Sequence, residues 1–188
     1  MAEQQVKKKD TLLIEVSRPM RIFILTLAAF ALLTPLSAQN NAALAARIQK
    51  LEDKEEIRLL LTDYGRFLDA RDLVSYSKLF AKDGEWIGRF GSAKGPEGIL
   101  AFMPKNLGTA PNRANNYHIL SNFEVDVQGD TATAWSRWAF IVPAADGKPS
   151  LAQGGRYQDK FIRENGHWKF LRREAFNDLP QSGPVVTK

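Results

Sequence analysis

NYHILSNFEVDVQGDTATAWSRWAFIV, residues 116–142, reads as two strands folded back on each other. Short β-branched and aromatic runs extend from about Tyr117 to Val127 and from Thr131 to Val142, and Gly129-Asp130 between them is a hairpin-type turn signal. The pattern repeats downstream, where Gly155 to Arg163 and Trp168 to Phe176 are strand-like and Asn165-Gly166 supplies the turn. Pro143 to Gln153, between the second and third strands, reads as a long polar connection free to overhang a pocket. Four antiparallel strands in succession need something to cover one of their faces.

The upstream sequence supplies the cover. Between Ala42 and Arg71, the residues Leu51, Ile57, Leu60, Leu61, Tyr64, Phe67 and Leu68 recur at three- and four-residue steps, with Lys54, Glu55, Arg58 and Arg66 among them. That spacing predicts a long amphipathic helix with an apolar stripe turned to a core. Asp72 is placed to cap a second, short helix running through Leu79 and Phe80. Glu85 to Phe90 suits a strand ending at Gly91, Pro96 opens a third helix, and residues 106–115 read as loop. Helices first and a strand meander last predict an α+β domain over residues 41–178, a curved antiparallel sheet folded over helices. Residues 179–188 are expected to form a flexible C-terminal tail.

Composition narrows the function classes. With 44% apolar and 25% charged residues the chain is an ordinary globular one. Its +5 formal charge is weak and dispersed, which argues against nucleic acid as a partner. The absence of cysteine excludes disulfides, thiolate metal sites and a Cys nucleophile, and two histidines without metal-ligand spacing argue against zinc. Neither a phosphate-binding glycine motif nor a G-x-S-x-G elbow occurs.

Ile22 to Leu33 (IFILTLAAFALL) follows Arg18 and Arg21 and precedes Ser37-Ala38, the order of a secretory signal over residues 20–38. Cleavage near Ala38 and a periplasmic or secreted location are expected, with an uncleaved N-terminal anchor as the alternative. Met20 makes residues 1–19 a candidate upstream-start artefact.

Few residues are candidates for chemistry. Asp69 falls at the C-terminal end of the long helix, where the dipole disfavours a carboxylate; it is either a base facing a pocket or a solvated acid in the turn. His118 opens a strand and is either structural or a proton carrier suited to neutral pH. Tyr64 lies on the apolar stripe with a hydroxyl that needs a partner. Of Arg172 and Arg173, adjacent on a strand, one must face inward. Trp86, Phe90, Phe102, Trp138 and Phe140 are pocket candidates as well as core candidates, and Trp135 shares that ambiguity. His167, beside a turn, reads as exposed.

Taken in order, Leu51–Ile57, Tyr64–Asp69, Leu79–Trp86, Gly95–Ile99, His118–Asn122, Gly129–Ala134, Gly155–Tyr157 and Gly166–Phe170 resemble SnoaL-like proteins of the nuclear transport factor 2-like superfamily. The resemblance implies a cone, a bent antiparallel sheet wrapped around helices with an apolar cavity at its open end. It also implies cofactor-independent lyase or isomerase chemistry, as in the dehydrochlorinase and dehydratase members, through a dyad falling on Asp69 and His118. An arginine assisting the leaving group falls on Arg173. The dehydrochlorinase lysine falls on Tyr64, which points away from dehalogenation and toward dehydration or isomerisation. The expected ligand is a small, apolar, cyclic molecule, with neither cofactor nor metal. A homodimer or homotrimer is the expected assembly. A non-catalytic carrier of a hydrophobic ligand is the alternative reading.

Overall fold

The computed structural model of the chain describes residues 18–107 and 116–179, with side chains from Ala38 onward. The expected upstream segment and tail lie outside these residues apart from their innermost positions, as do the side chains of the expected signal up to Ser37. Among the described residues no helix is long and apolar enough to cross a membrane.

A helix, α1, spans Arg18–Ala70, and the chain divides into two units after Arg47. In the first unit, residues 18–47 are helical. The second begins at Ile48 and holds everything that follows. There Ile57, Leu60, Leu61, Tyr64 and Leu68 form the buried stripe of α1. Leu51, expected on that stripe, is 66% exposed, because it stands two turns before solvent-facing Arg58 on the same side of the helix.

α1 closes in a Schellman motif: Asp72 N–H donates to the Phe67 carbonyl at 3.0 Å and Arg71 N–H to that of Leu68 at 3.2 Å. Arg71, at φ 61°, holds the left-handed position. Asp72 caps α2 (Leu73–Ser77), accepting from Ser75 N–H at 3.0 Å. Phe80 was expected to end this helix. It instead starts a strand, β1 (Phe80–Gly88), where its ring is buried 5.1 Å from that of Phe170. β2 (Gly91–Lys94) and α3 (Gly95–Leu107) follow, so Asn106 and Leu107, read as loop, belong to α3.

The remaining strands are β3 (Tyr117–Gln128), β4 (Thr131–Pro143), β5 (Pro149–Glu164) and β6 (His167–Asn177). Together they form one six-stranded sheet in the order β2-β1-β6-β5-β4-β3, antiparallel throughout except that β1 runs parallel to β6. The long connection expected over 143–153 is mostly strand: β4 and β5 pair out to Pro143 opposite Pro149, leaving only a short turn. Both prolines stand at the end of the ladder, where a missing N–H costs least.

Register shifts interrupt β3–β4, β4–β5 and β5–β6, and such bulges bend a sheet. The concave face presents Trp138, Tyr157, Phe161, Trp168 and Phe170 to the stripe of α1. Its curvature also brings backbones close. A Cβ on Gly155 would lie 1.8 Å from the Phe176 carbonyl oxygen on the neighbouring strand, while at Gly98 in α3 it would meet nothing within 4 Å. Gly155→Ala is therefore expected to cost about 1–3 kcal/mol or more, read as a lowered urea midpoint. Gly98→Ala should be neutral or stabilising by up to about 1 kcal/mol; equal midpoints for the two variants would contradict the close approach.

Candidate active site

Asp69 occupies the last turn of α1, where the exposed carbonyl ends of the helix repel a carboxylate. Its partners offset this. Oδ2 accepts the backbone N–H of His118 at 2.8 Å, and Oδ1 lies 2.6 Å from His118 Nδ1. A carboxylate can only accept, so this contact fixes Nδ1 as the protonated nitrogen and leaves Nε2 as the one available to a ligand. Both side chains are largely covered, at 21% and 15% exposure, and the imidazole lies 4.6 Å from the Phe140 ring.

Strand alternation alone would turn Glu124 inward along with His118. The structure avoids this with a bulge between Ser121 and Glu124, where Asn122 adopts φ 54°. Before it, His118 and Leu120 are the more buried positions; after it, Phe123, Val125 and Val127 are, and Glu124 is exposed.

His118 forms part of the wall of a cavity of about 140 Å³ at the open end of the sheet. That is room for about one six-membered ring, judged by cavities known to admit benzene. Aromatic residues dominate its depths: Tyr64, Tyr76, Trp86, Trp138, Phe140 and Tyr157, with Leu68 and Met103 beside them. The Trp86 indole N–H donates to the Tyr64 hydroxyl at 3.1 Å. The Tyr64 oxygen is thus held as an acceptor. The Tyr76 hydroxyl is buried with no aligned partner. Burial pushes the Tyr76 and Tyr157 hydroxyls well above the usual tyrosine range, so both remain O–H donors. A larger hollow of about 480 Å³ lies elsewhere on the sheet, lined by Glu124, Trp135, Arg172 and Glu174 among others, and contains no histidine.

Of the arginine pair Arg173 is the one that faces inward, while Arg172 reaches Glu85 and Glu174. Contrary to expectation, Arg173 does not line the cavity. It is fully buried and faces fully buried Asp159 across β5–β6, with Nη2 donating to Oδ2 at 3.3 Å. Nε lies 3.2 Å from Oδ1 without the alignment of a hydrogen bond, so Nε, Nη1 and Oδ1 are left without aligned partners. Aromatic faces take their place: the guanidinium carbon sits 3.8 Å from the ring centres of both Tyr64 and Tyr157. The arginine therefore supports two tyrosines of the cavity wall from behind.

Of the pocket candidates, Trp86, Phe90, Trp138 and Phe140 line the cavity. Phe102 does not; it backs Trp86, with ring centres 5.7 Å apart. Trp135 lines the larger hollow instead. His167 is exposed, 3.8 Å from Glu56. Sequence reasoning missed Tyr76 and the polar rim of Arg71, Arg89, Asn106, Gln153 and Asn177. For Tyr76 a signal existed, since it sits one turn after the Asp72 cap of α2. Among the described residues no group of three or more His, Asp or Glu is placed to hold a metal ion.

A sequence profile of the SnoaL-like domain matches residues 49–174. An uncharacterized protein of Mycobacterium tuberculosis is 31% identical over 137 residues, covering 67% of this chain and 86% of its own. An NTF2-like protein with a cystatin-like fold from Novosphingobium aromaticivorans superposes with a TM-score of 0.65 at 33% identity, covering 75% of this chain and 90% of that one. The hexachlorocyclohexane dehydrochlorinase LinA-type3 from Novosphingobium barchaimii gives a TM-score of 0.59 at 21% identity, over 71% of this chain and 91% of its own, a likeness of fold.

Proposed function

Because the chain belongs to the SnoaL-like domain family and has the NTF2-like fold, we propose that it is a cofactor-independent lyase or isomerase acting on a small cyclic substrate. The observation that carries this reading is the 2.6 Å contact between Asp69 and His118 at the wall of an aromatic cavity. His118 Nε2 takes a proton from the carbon next to a ring carbonyl, and Asp69 holds the ring and stabilises its positive form. The electron pair moves onto the carbonyl oxygen, where the hydroxyls of Tyr64 and Tyr76 donate as charge develops. For dehydration, a hydroxyl on the next carbon leaves as water with the proton returned by His118, and a carbon–carbon double bond remains. For isomerisation, the same proton returns to a different carbon. Tyr64 stands where the dehydrochlorinase-type resemblance calls for lysine, which favours these oxygen-centred reactions over halide loss.

The almost wholly aromatic depth of the cavity also suits a non-catalytic carrier of the same ligands. A panel of cyclic β-hydroxyketones, followed by ultraviolet absorbance for conjugated product and by solvent deuterium uptake, separates the two. Catalysis predicts product or deuterium uptake with wild-type protein and loss of both in Asp69→Asn. Ligand that binds and is recovered unchanged, without deuterium, would leave the carrier reading.

A further inference from the structure

The wall of the cavity contains two arginines, Arg71 and Arg89, and no aspartate or glutamate. Asp69 touches His118 from outside that wall. Surface arginines are commonly paired with acids, and most others among the described residues are: Arg163 with Asp53 and Asp130, Arg137 and Arg156 with Asp178, Arg172 with Glu85 and Glu174, Arg66 with Asp63, though not Arg47 on α1. Neither rim arginine has a carboxylate partner among the described residues. Arg71 Nη1 donates to the Leu68 carbonyl at 2.5 Å, leaving the rest of its fork unused. Arg89 lies over the exposed Phe90 ring at 4.8 Å and makes no described hydrogen bond. Residues 108–115, GTAPNRAN, contain no acid that could serve either.

Arg71 is also an uncommon choice at its position. The residue that ends a Schellman motif in the left-handed region is usually glycine, and a side chain there costs about 1 kcal/mol. The chain accepts that cost and places a guanidinium at the mouth of the cavity. The polar amides of Asn106, Gln153 and Asn177 share the same wall, while the deeper part is aromatic. The cavity wall thus combines aromatic side chains that suit a ring with two arginines that have no carboxylate partner among the described residues.

We infer that its ligand is a monocyclic carboxylic acid, with the ring held among the aromatic side chains and the carboxylate met at the rim by Arg71 and Arg89. This deepens the reading proposed above and rests on the same cavity being the working site. The carboxylate is a handle for binding, not the group that activates the proton; a separate ring oxygen faces the tyrosines. His118 with Asp69 is net neutral when protonated, so the preference for an anion resides in the two arginines. Planar guanidinium forks suit a carboxylate better than a lysine ammonium would.

The probes are 4-oxocyclohexanecarboxylate and the matching neutral carboxamide, titrated into the isotope-labelled protein and followed through backbone amide shifts. The acid is expected to bind about tenfold or more tightly than the amide, the usual gain of a charge-assisted hydrogen bond. Arg71→Gln with Arg89→Gln should bring that ratio close to one, chiefly by weakening the acid. Arg89→Gln alone, at an exposed position where folding is not in question, should lower it about threefold. Equal binding of acid and amide to the wild type, or a ratio that survives the double substitution, overturns the carboxylate inference and leaves the proposed function standing. Acetate shifting the same amides as strongly would also overturn it, by reducing the rim to a general anion site. If neither ring compound perturbs the amides of Tyr64, His118 and Trp138, both the inference and the reading it rests on fail.

Discussion

Replacing His118 by alanine is expected to lower kcat/KM on a turned-over substrate by about 10²–10⁴-fold, the usual contribution of a positioned proton-transfer group. KM should change far less, because the imidazole is one small part of a wall made chiefly of aromatic rings. The fold should survive. His118 is neither in the buried core nor part of its aromatic stacking beyond the contacts with Phe140 and Trp138, and its backbone N–H to Asp69 bond does not involve the ring. Steady-state kinetics and a thermal melt on the same preparation separate the two effects. Turnover within about threefold of wild type would remove His118 from the chemistry, because a loss that small lies far below what general acid–base catalysis supplies.

Above about pH 7, where the Asp159 carboxyl is ionised, Arg173→Met should be the costliest substitution for stability, by about 3–5 kcal/mol, since it strands that fully buried carboxylate without its cation. In a domain of this size that corresponds to a melting temperature lower by on the order of 10 °C. Arg173→Met combined with Asp159→Leu removes both charges and should recover most of the loss, which a double-mutant cycle measures. A double variant no more stable than Arg173→Met would mean that the arginine contributes through its stacking on Tyr64 and Tyr157 and not through the pair.

The same pair governs a pH dependence. Burial pushes the Asp159 carboxyl up to about 7, with Arg173 pulling it back toward its ordinary range. The folded chain therefore keeps a proton that the unfolded chain has already released. Stability from this group is fully present below about pH 4, the ordinary carboxyl range, and is lost as pH rises toward 7. Urea midpoints should show that descending limb in the wild type and lose it in Asp159→Asn.

Much of this architecture is legible in the residues, but its tertiary details are not. The part of helix α1 from Ala42 on, the Asp72 cap and the β3–β4 and β5–β6 turns follow from periodicity and turn chemistry alone. The start of β5 does not, because Pro149 to Gly154 has little strand character of its own and is held extended by pairing with β4. Asp69 and His118, 49 residues apart, each admitted an ordinary structural reading, and only the order of motifs around them suggested one site. One of Arg172 and Arg173 was legible as inward-facing, but which of them depends on the extra residue in β6 between Phe170 and Arg172, which no local signal marks. The rim arginines were invisible for a related reason. One stands at a helix end and the other in a strand turn, and only the folded chain shows that neither meets an acid among the described residues.

The extra residue in β3 works as a phase shifter. Upstream of Asn122 the strand turns one parity of side chains inward, His118 into the cavity wall and Leu120 onto the core, and downstream it turns the opposite parity inward. Substitutions at His118 can retune what the cavity accepts without changing which face Phe123, Val125 and Val127 present to the core. Loss of a single residue at the junction would couple the halves again and force either His118 or Phe123 to the wrong side. The strand thereby carries one cavity residue at its start without giving up the core packing along the rest of its length.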